Sequence, residues 1–152
     1  MNILFNQAIE KYHSRCKKLT KKKLYNKLMG AKSRWAKQND CSLEEMEVFI
    51  VAGLGYCPYC LGELDVKNMS LDHKTPIDRG GDKHIDNLII CCLRCNRCKG
   101  VLTENEYRKL LQFISTFKED VVRNYILRKL SSKDMWGGKI ARNAKKRGGL
   151  TK

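Results

Sequence analysis

Apolar residues first recur at helical spacing. Ile3, Leu4, Ala8, Ile9, Tyr12, Cys16 and Leu19 fall mostly three or four positions apart, so residues 3–38 read as helical. Leu24, Tyr25, Leu28 and Trp35 mark a second helical run within that span. Lys17, Lys18, Lys21, Lys22 and Lys23 crowd the junction, where like charges repel and weaken a continuous helix. Ser42-x-x-Glu45 is a capping box, and it predicts a short helix with Leu43, Met46, Phe49 and Ile50 turned inward. Gly53 and Gly55 end it. From residue 56 to 100 the helical period disappears. Two short runs have strand character, one ending at Leu71-Asp72-His73 and one spanning residues 87–92, with turn signals at Pro76 and Gly80-Gly81 between them. Thr103-x-x-Glu106 and Thr116-x-x-Glu119 are two further capping boxes. The first opens a helix with Tyr107, Leu110, Leu111 and Ile114 on one face, the second a helix with Val121, Val122, Tyr125, Ile126 and Leu130. Gly137-Gly138, Lys145-Lys146-Arg147 and Gly148-Gly149 read as a flexible basic tail.

Charge divides the chain along the same lines. The net charge of +15 over 152 residues is concentrated at the two ends: +9 over residues 1–40 and +8 over residues 101–152. Residues 41–56 carry −3 and residues 57–100 only +1. Basic flanks around a near-neutral middle point to a polyanionic partner, most simply nucleic acid. No apolar run approaches the roughly 20 residues of a spanning helix. The opening Met1-Asn2-Ile3-Leu4-Phe5 lacks the basic start and length of a secretion signal. The expected setting is therefore cytoplasmic, or the host cell interior for a phage or virus protein. In such a reducing compartment, paired cysteines hold metal more often than they form disulfides.

Eight cysteines are present. Cys57-Pro58-Tyr59-Cys60 and Cys92-Leu93-Arg94-Cys95 are two Cys-x-x-Cys pairs, and thiolates two residues apart in a tight turn span one edge of a zinc tetrahedron. Cys95/Cys98 is an overlapping alternative for the second edge. Adjacent Cys91 and Cys92 would point to opposite faces of a strand and would not share an ion. Cys57, Cys60, Cys92 and Cys95 form the favoured set, and Cys16, Cys41, Cys91 and Cys98 are left as buried structural thiols. Between the pairs and just after the second stand residues suited to hydrolysis. His73 has an imidazole able to take a proton from water near neutral pH. Asp72 offers a hard carboxylate oxygen and Asn96 an amide oxygen for a divalent ion such as Mg²⁺. Arg97 and Lys99 would neutralise neighbouring phosphates.

Leu71-Asp72-His73, Pro76, Gly80-Gly81, Asn87-Leu88 and Cys92-x-x-Cys95-Asn96-x-x-Lys99 follow in order and spacing the pattern of the HNH endonucleases. Residues 56–100 resemble that family in its four-cysteine zinc variant. The resemblance implies an α+β fold, with a small ββα-metal core held by the zinc site and flanked by basic α-helices. It further implies a helix starting near the second cysteine pair and ending at Gly100. By the same resemblance, His73 activates water, Asp72 and Asn96 hold the catalytic Mg²⁺ or Mn²⁺, and Asn87 holds the loop and orients His73. Asn96 stands where the family often has His. The implied organisation is a basic helical N-terminal region over residues 1–55, the nuclease domain over 56–115, and a C-terminal helix with basic tail over 116–152. DNA is the implied partner, bound also by Lys74, by Lys21, Lys22 and Lys23, and by Lys145, Lys146 and Arg147. A homodimer, or a larger phage, mobile-element or repair complex, fits the settings in which the family serves. His84 reads as a phosphate contact or loop support, and Trp35 and Trp136 as core. Two rival functions share the cysteines and the charge: an RNA-cleaving nuclease, and a zinc-knuckle module that binds nucleic acid without chemistry. The binding module has no need of Asp72, His73 and Asn96 together.

Overall fold

The computed structural model describes residues 3–13 and 19–132, excepting the side chains of Tyr12 and His13. Cys16, Trp136 and the proposed basic contacts Lys145, Lys146 and Arg147 lie outside the described residues. The chain divides into two compact units, residues 1–93 and 94–152.

In the first unit, α1 (Ile3–His13), α2 (Lys21–Gln38) and α3 (Leu43–Gly53) pack on one another. Phe5, Ala8 and Ile9 of α1, Leu24, Leu28, Ala31 and Trp35 of α2, and Met46 and Ile50 of α3 are buried, as their spacing requires. Two local signals set the boundaries. Thr20 caps α2, its hydroxyl accepting from Lys23 N, so Lys21, Lys22 and Lys23 fall at a helix start. Ser42 and Glu45 form the reciprocal capping box of α3. The inward face of α3 differs from its sequence pattern at two positions: Leu43 is 46% exposed, whereas Glu47 is buried. Glu47 is accommodated because Lys32 of α2 meets it at 2.7 Å, and the Lys32 ammonium also lies 5.8 Å from the centre of the Phe5 ring. A buried charge needs such a partner.

Beyond α3, β1 (Gly55–Tyr56) and β2 (Glu63–Leu64) pair as a short antiparallel hairpin around the first cysteine pair. The expected longer hairpin follows: β3 (Met69–His73) pairs antiparallel with β4 (Leu88–Cys92), placing His73 opposite Leu88 and Asp72 opposite Ile89. Asn87 is not part of β4 but ends a one-turn helix before it. Helix α3 packs on β4, and the approach is so close that a Cβ on Gly53 would stand 2.7 Å from Ile90 Cβ.

Helix α4 (Leu93–Lys99) continues directly from β4. Gly100, at φ +54°, takes the left-handed conformation that ends a helix, and its N–H bonds the Asn96 carbonyl. In the second unit, α5 (Glu104–Ser115) starts at the Thr103–Glu106 capping box and buries Tyr107 and Ile114. It packs against α6 (Asp120–Leu130). The third capping box does not form. Thr116 instead closes α5, with its hydroxyl on the Phe113 carbonyl. Glu119 precedes α6 without a side-chain cap, and Arg123 holds this turn by pairing with Asp120 and bonding the Phe117 carbonyl. Phe113 and Phe117 meet edge to face across the same corner. The architecture is α+β: helices with small antiparallel strands.

Candidate metal centre and hydrolytic site

The four favoured cysteines converge. The sulfurs of Cys57, Cys60, Cys92 and Cys95 all lie within 4.8 Å of one another, and Cys60 Sγ is 3.9 Å from Cys92 Sγ. Four thiolates about 2.3 Å from a central zinc would be separated by about 3.8 Å along each tetrahedral edge, whereas a disulfide requires about 2.05 Å. The donor set is therefore spaced to hold a metal such as zinc. Local folding explains the convergence. Leu61, at φ +56°, turns the first pair back on itself, with Cys57 N–H on the Gly62 carbonyl and Leu61 N–H on the Cys57 carbonyl. The second pair straddles the switch from β4 to α4. The Cys92 N–H points at Cys57 Sγ from 3.4 Å, the kind of donor that stabilises a thiolate. Cys57, Cys92 and Cys95 are buried and Cys60 is exposed. The alternative fourth sulfur, that of Cys98, instead donates to the Leu127 carbonyl at 3.3 Å. Cys91 and Cys98 are buried as structural thiols. Cys41 is half-buried, and burial, aided by Glu45 and Asp40, pushes its thiol pKa up.

His73 ends β3, half-buried, directly after Asp72, whose Oδ2 is enclosed by protein. The loop that follows is held by Asn87. Its Oδ1 accepts from Thr75 N at 2.9 Å, while Nδ2 donates to the Thr75 carbonyl (3.0 Å) and the Asp82 carbonyl (2.8 Å). One amide side chain thus reproduces a strand-like pairing where β3 has ended. Gly81 lies within the same loop because a Cβ there would stand 2.7 Å from the Thr75 carbonyl carbon and 2.9 Å from Asn87 Nδ2. Lys74 Nζ donates to the Asp86 carbonyl at 2.8 Å, tying it to this loop. His84 caps the one-turn helix before β4 and lies 3.1 Å from the Asp86 carboxylate.

A residue not singled out by sequence reasoning touches the candidate base. Asn39, at the C-terminal end of α2, places its Oδ1 2.9 Å from His73 Nε2. A lone Asn beside Asp40 and a Ser cap reads as a helix-end residue, and no local signal reveals a partner 34 positions away. Asn96 is half-buried on α4, between Cys95 and Arg97. Arg97 is exposed, as are Lys21, Lys22 and Lys23, with Lys21 paired to Glu10 at 2.5 Å. Lys99 differs from its expected role. It is 0% exposed, so its ammonium has no surface to offer a phosphate. Trp35 is core.

No helix among the described residues is long and apolar enough to cross a membrane. No curated protein matches the chain. Residues 57–101, which contain the four clustered cysteines, β3, β4 and α4, match the family model for HNH endonucleases.

Proposed function

We propose that the protein is a metal-dependent endonuclease that hydrolyses DNA phosphodiester bonds. The observation that carries this reading is the placement of Asp72-His73 at the end of β3, within the residues that match the HNH model and next to the loop held by Asn87. In its neutral form, His73 takes one proton from a water molecule. The water oxygen bonds to phosphorus as the bond from phosphorus to the 3′-oxygen breaks. The 3′-oxygen leaves with a proton from solvent, giving 5′-phosphate and 3′-hydroxyl ends. Asp72 and Asn96, both oxygen donors of the kind Mg²⁺ or Mn²⁺ prefers, would hold a divalent ion, which when bound supplies positive charge against the scissile phosphate. Cys57, Cys60, Cys92 and Cys95 would hold a structural Zn²⁺. Closed four-thiolate sites offer no open position, so this zinc would fix the scaffold and perform no chemistry. Exposed Lys21, Lys22, Lys23 and Arg97, with Lys74, supply charge for the DNA backbone. Each phosphate neutralised would steepen the log–log salt dependence of binding by roughly 0.9. Such contacts position the duplex without reading bases.

The test is incubation with supercoiled plasmid and with RNA, in Mg²⁺, Mn²⁺ or chelator, alongside folded His73→Ala. Nicked or linear plasmid, dependent on metal and lost in His73→Ala, is the expected outcome. Undiminished cleavage by His73→Ala removes it as the base. Absence of cleavage with every metal favours the binding module, and cleavage confined to RNA favours the ribonuclease.

A further inference from the structure

Asn39 lies outside the residues that match the HNH model, yet its side chain meets the residue read as the base. It is buried, at 8% exposed, an unusual place for an amide unless every polar atom is used. Its Nδ2 donates to the Trp35 carbonyl at 2.8 Å, one of the last carbonyls of α2. A carbonyl only accepts, so the amide cannot be turned over: the reverse orientation would bring Oδ1 against the Trp35 oxygen. Oδ1 therefore faces His73, and Oδ1 also only accepts. The 2.9 Å contact then requires a hydrogen on Nε2. In the neutral imidazole this leaves the lone pair on Nδ1.

The segment bearing Asn39 is itself fixed. The next residue, Asp40, donates its N–H to the Lys83 carbonyl at 3.0 Å and forms an isolated parallel bridge with His84. Behind it, α2 is held by Leu24, Leu28 and Trp35 in the helical core and by the Lys32–Glu47 pair. The C-terminal end of α2 is thus tied both to the end of β3 and to the loop before β4.

We propose that Asn39 is a positioning residue for hydrolysis. Its amide oxygen accepts the Nε2–H of His73 and holds the ring in the tautomer whose Nδ1 takes the proton from water. The N-terminal helices are on this account a component of the hydrolytic site as well as a basic surface. The proposal rests on the reading of His73 as base, but the tautomer can be measured without catalysis.

The experiment is two-bond ¹H–¹⁵N correlation spectroscopy of the histidine rings in the zinc-loaded full chain, without catalytic divalent metal and above the pH at which the rings are protonated. His73→Ala assigns the signal. The expected wild-type pattern is the Nε2–H tautomer. In Asn39→Ala it becomes a mixture or switches, and kcat for plasmid cleavage falls roughly 10- to 100-fold at unchanged KM. A wild-type Nδ1–H tautomer overturns the proposal, as does an Asn39→Ala protein with unchanged tautomer and kcat. If Asn39→Ala does not fold, the wild-type spectrum decides, an Nδ1–H tautomer there counting against it. Activity surviving in His73→Ala would instead remove the base assignment and leave the tautomer result standing.

Discussion

Cys60→Ser separates a metal centre from a cluster of buried thiols. Cys57, Cys92 and Cys95 are buried, so replacing any of them would disturb packing whether or not metal is bound. Cys60 is exposed. As a bystander thiol it would contribute almost nothing, and its replacement by serine would change stability by no more than about 0.5 kcal/mol. As a zinc ligand its loss is far larger. Structural zinc contributes roughly 10–16 kcal/mol of apparent folding free energy, so a quarter share per thiolate is about 2.5–4 kcal/mol. For a chain of this size that lowers Tm by about 5–15 °C. The magnitude is credible here because Cys60 Sγ stands 3.9 Å from Cys92 Sγ, close to the edge length a zinc tetrahedron requires. The assay is zinc content by elemental analysis together with thermal unfolding of wild type and Cys60→Ser, each with and without chelator. Wild type is expected to carry one zinc per chain and to lose stability to chelator. Cys60→Ser is expected to bind zinc weakly and unfold earlier. One zinc per chain retained by Cys60→Ser, with Tm within about 1 °C of wild type, would refute the four-thiolate assignment.

Two further substitutions probe the frame that carries the site. Glu47→Ala leaves the Lys32 ammonium buried without its carboxylate and is expected to cost about 3–5 kcal/mol in urea unfolding, whereas Lys32→Met with Glu47→Leu is expected to be neutral or stabilising by about 1–4 kcal/mol. A cost below 1 kcal/mol for the single change would show that the pair is not desolvated. Gly81→Ala puts a Cβ against the Thr75 carbonyl and Asn87 Nδ2; Tm should fall by an amount matching roughly 1–3 kcal/mol, with plasmid cleavage lost alongside. Wild-type cleavage and Tm in that variant would mean that the loop is free to shift.

The parts legible in the sequence are those set by neighbours along the chain. Ser42/Glu45 and Thr103/Glu106 become capping boxes because donor and acceptor lie within one turn. Gly100 ends α4 because only a residue without a Cβ adopts its φ freely. The Cys-x-x-Cys spacing specifies half of a tetrahedron wherever the turn forms, so the favoured four-cysteine set was legible in the sequence, with Cys95/Cys98 as the overlapping alternative that only the folded structure separates. Thr116-x-x-Glu119 has the same local form and still fails, because the Thr116 hydroxyl is engaged at the end of α5 and the Arg123 bonds hold a different turn.

What only the tertiary structure decided depends on partners distant in sequence. Lys99 carries the charge of a phosphate ligand, but packing encloses it. Leu43 has the hydrophobicity of a core residue, but that face of α3 is open, while Glu47 is buried against Lys32. Asn39 looks like any helix-end amide until the end of α2 is brought against the end of β3. The sequence by itself determined the side chains on offer: two Cys-x-x-Cys pairs, and an Asp-His dipeptide between them. The tertiary structure decided which polar atoms meet, Asn39 Oδ1 and His73 Nε2 among them. The physical reason is range. A cap or knuckle closes over a few bonds and is written locally, whereas a buried amide finds its acceptor and donor only after the core has folded around it.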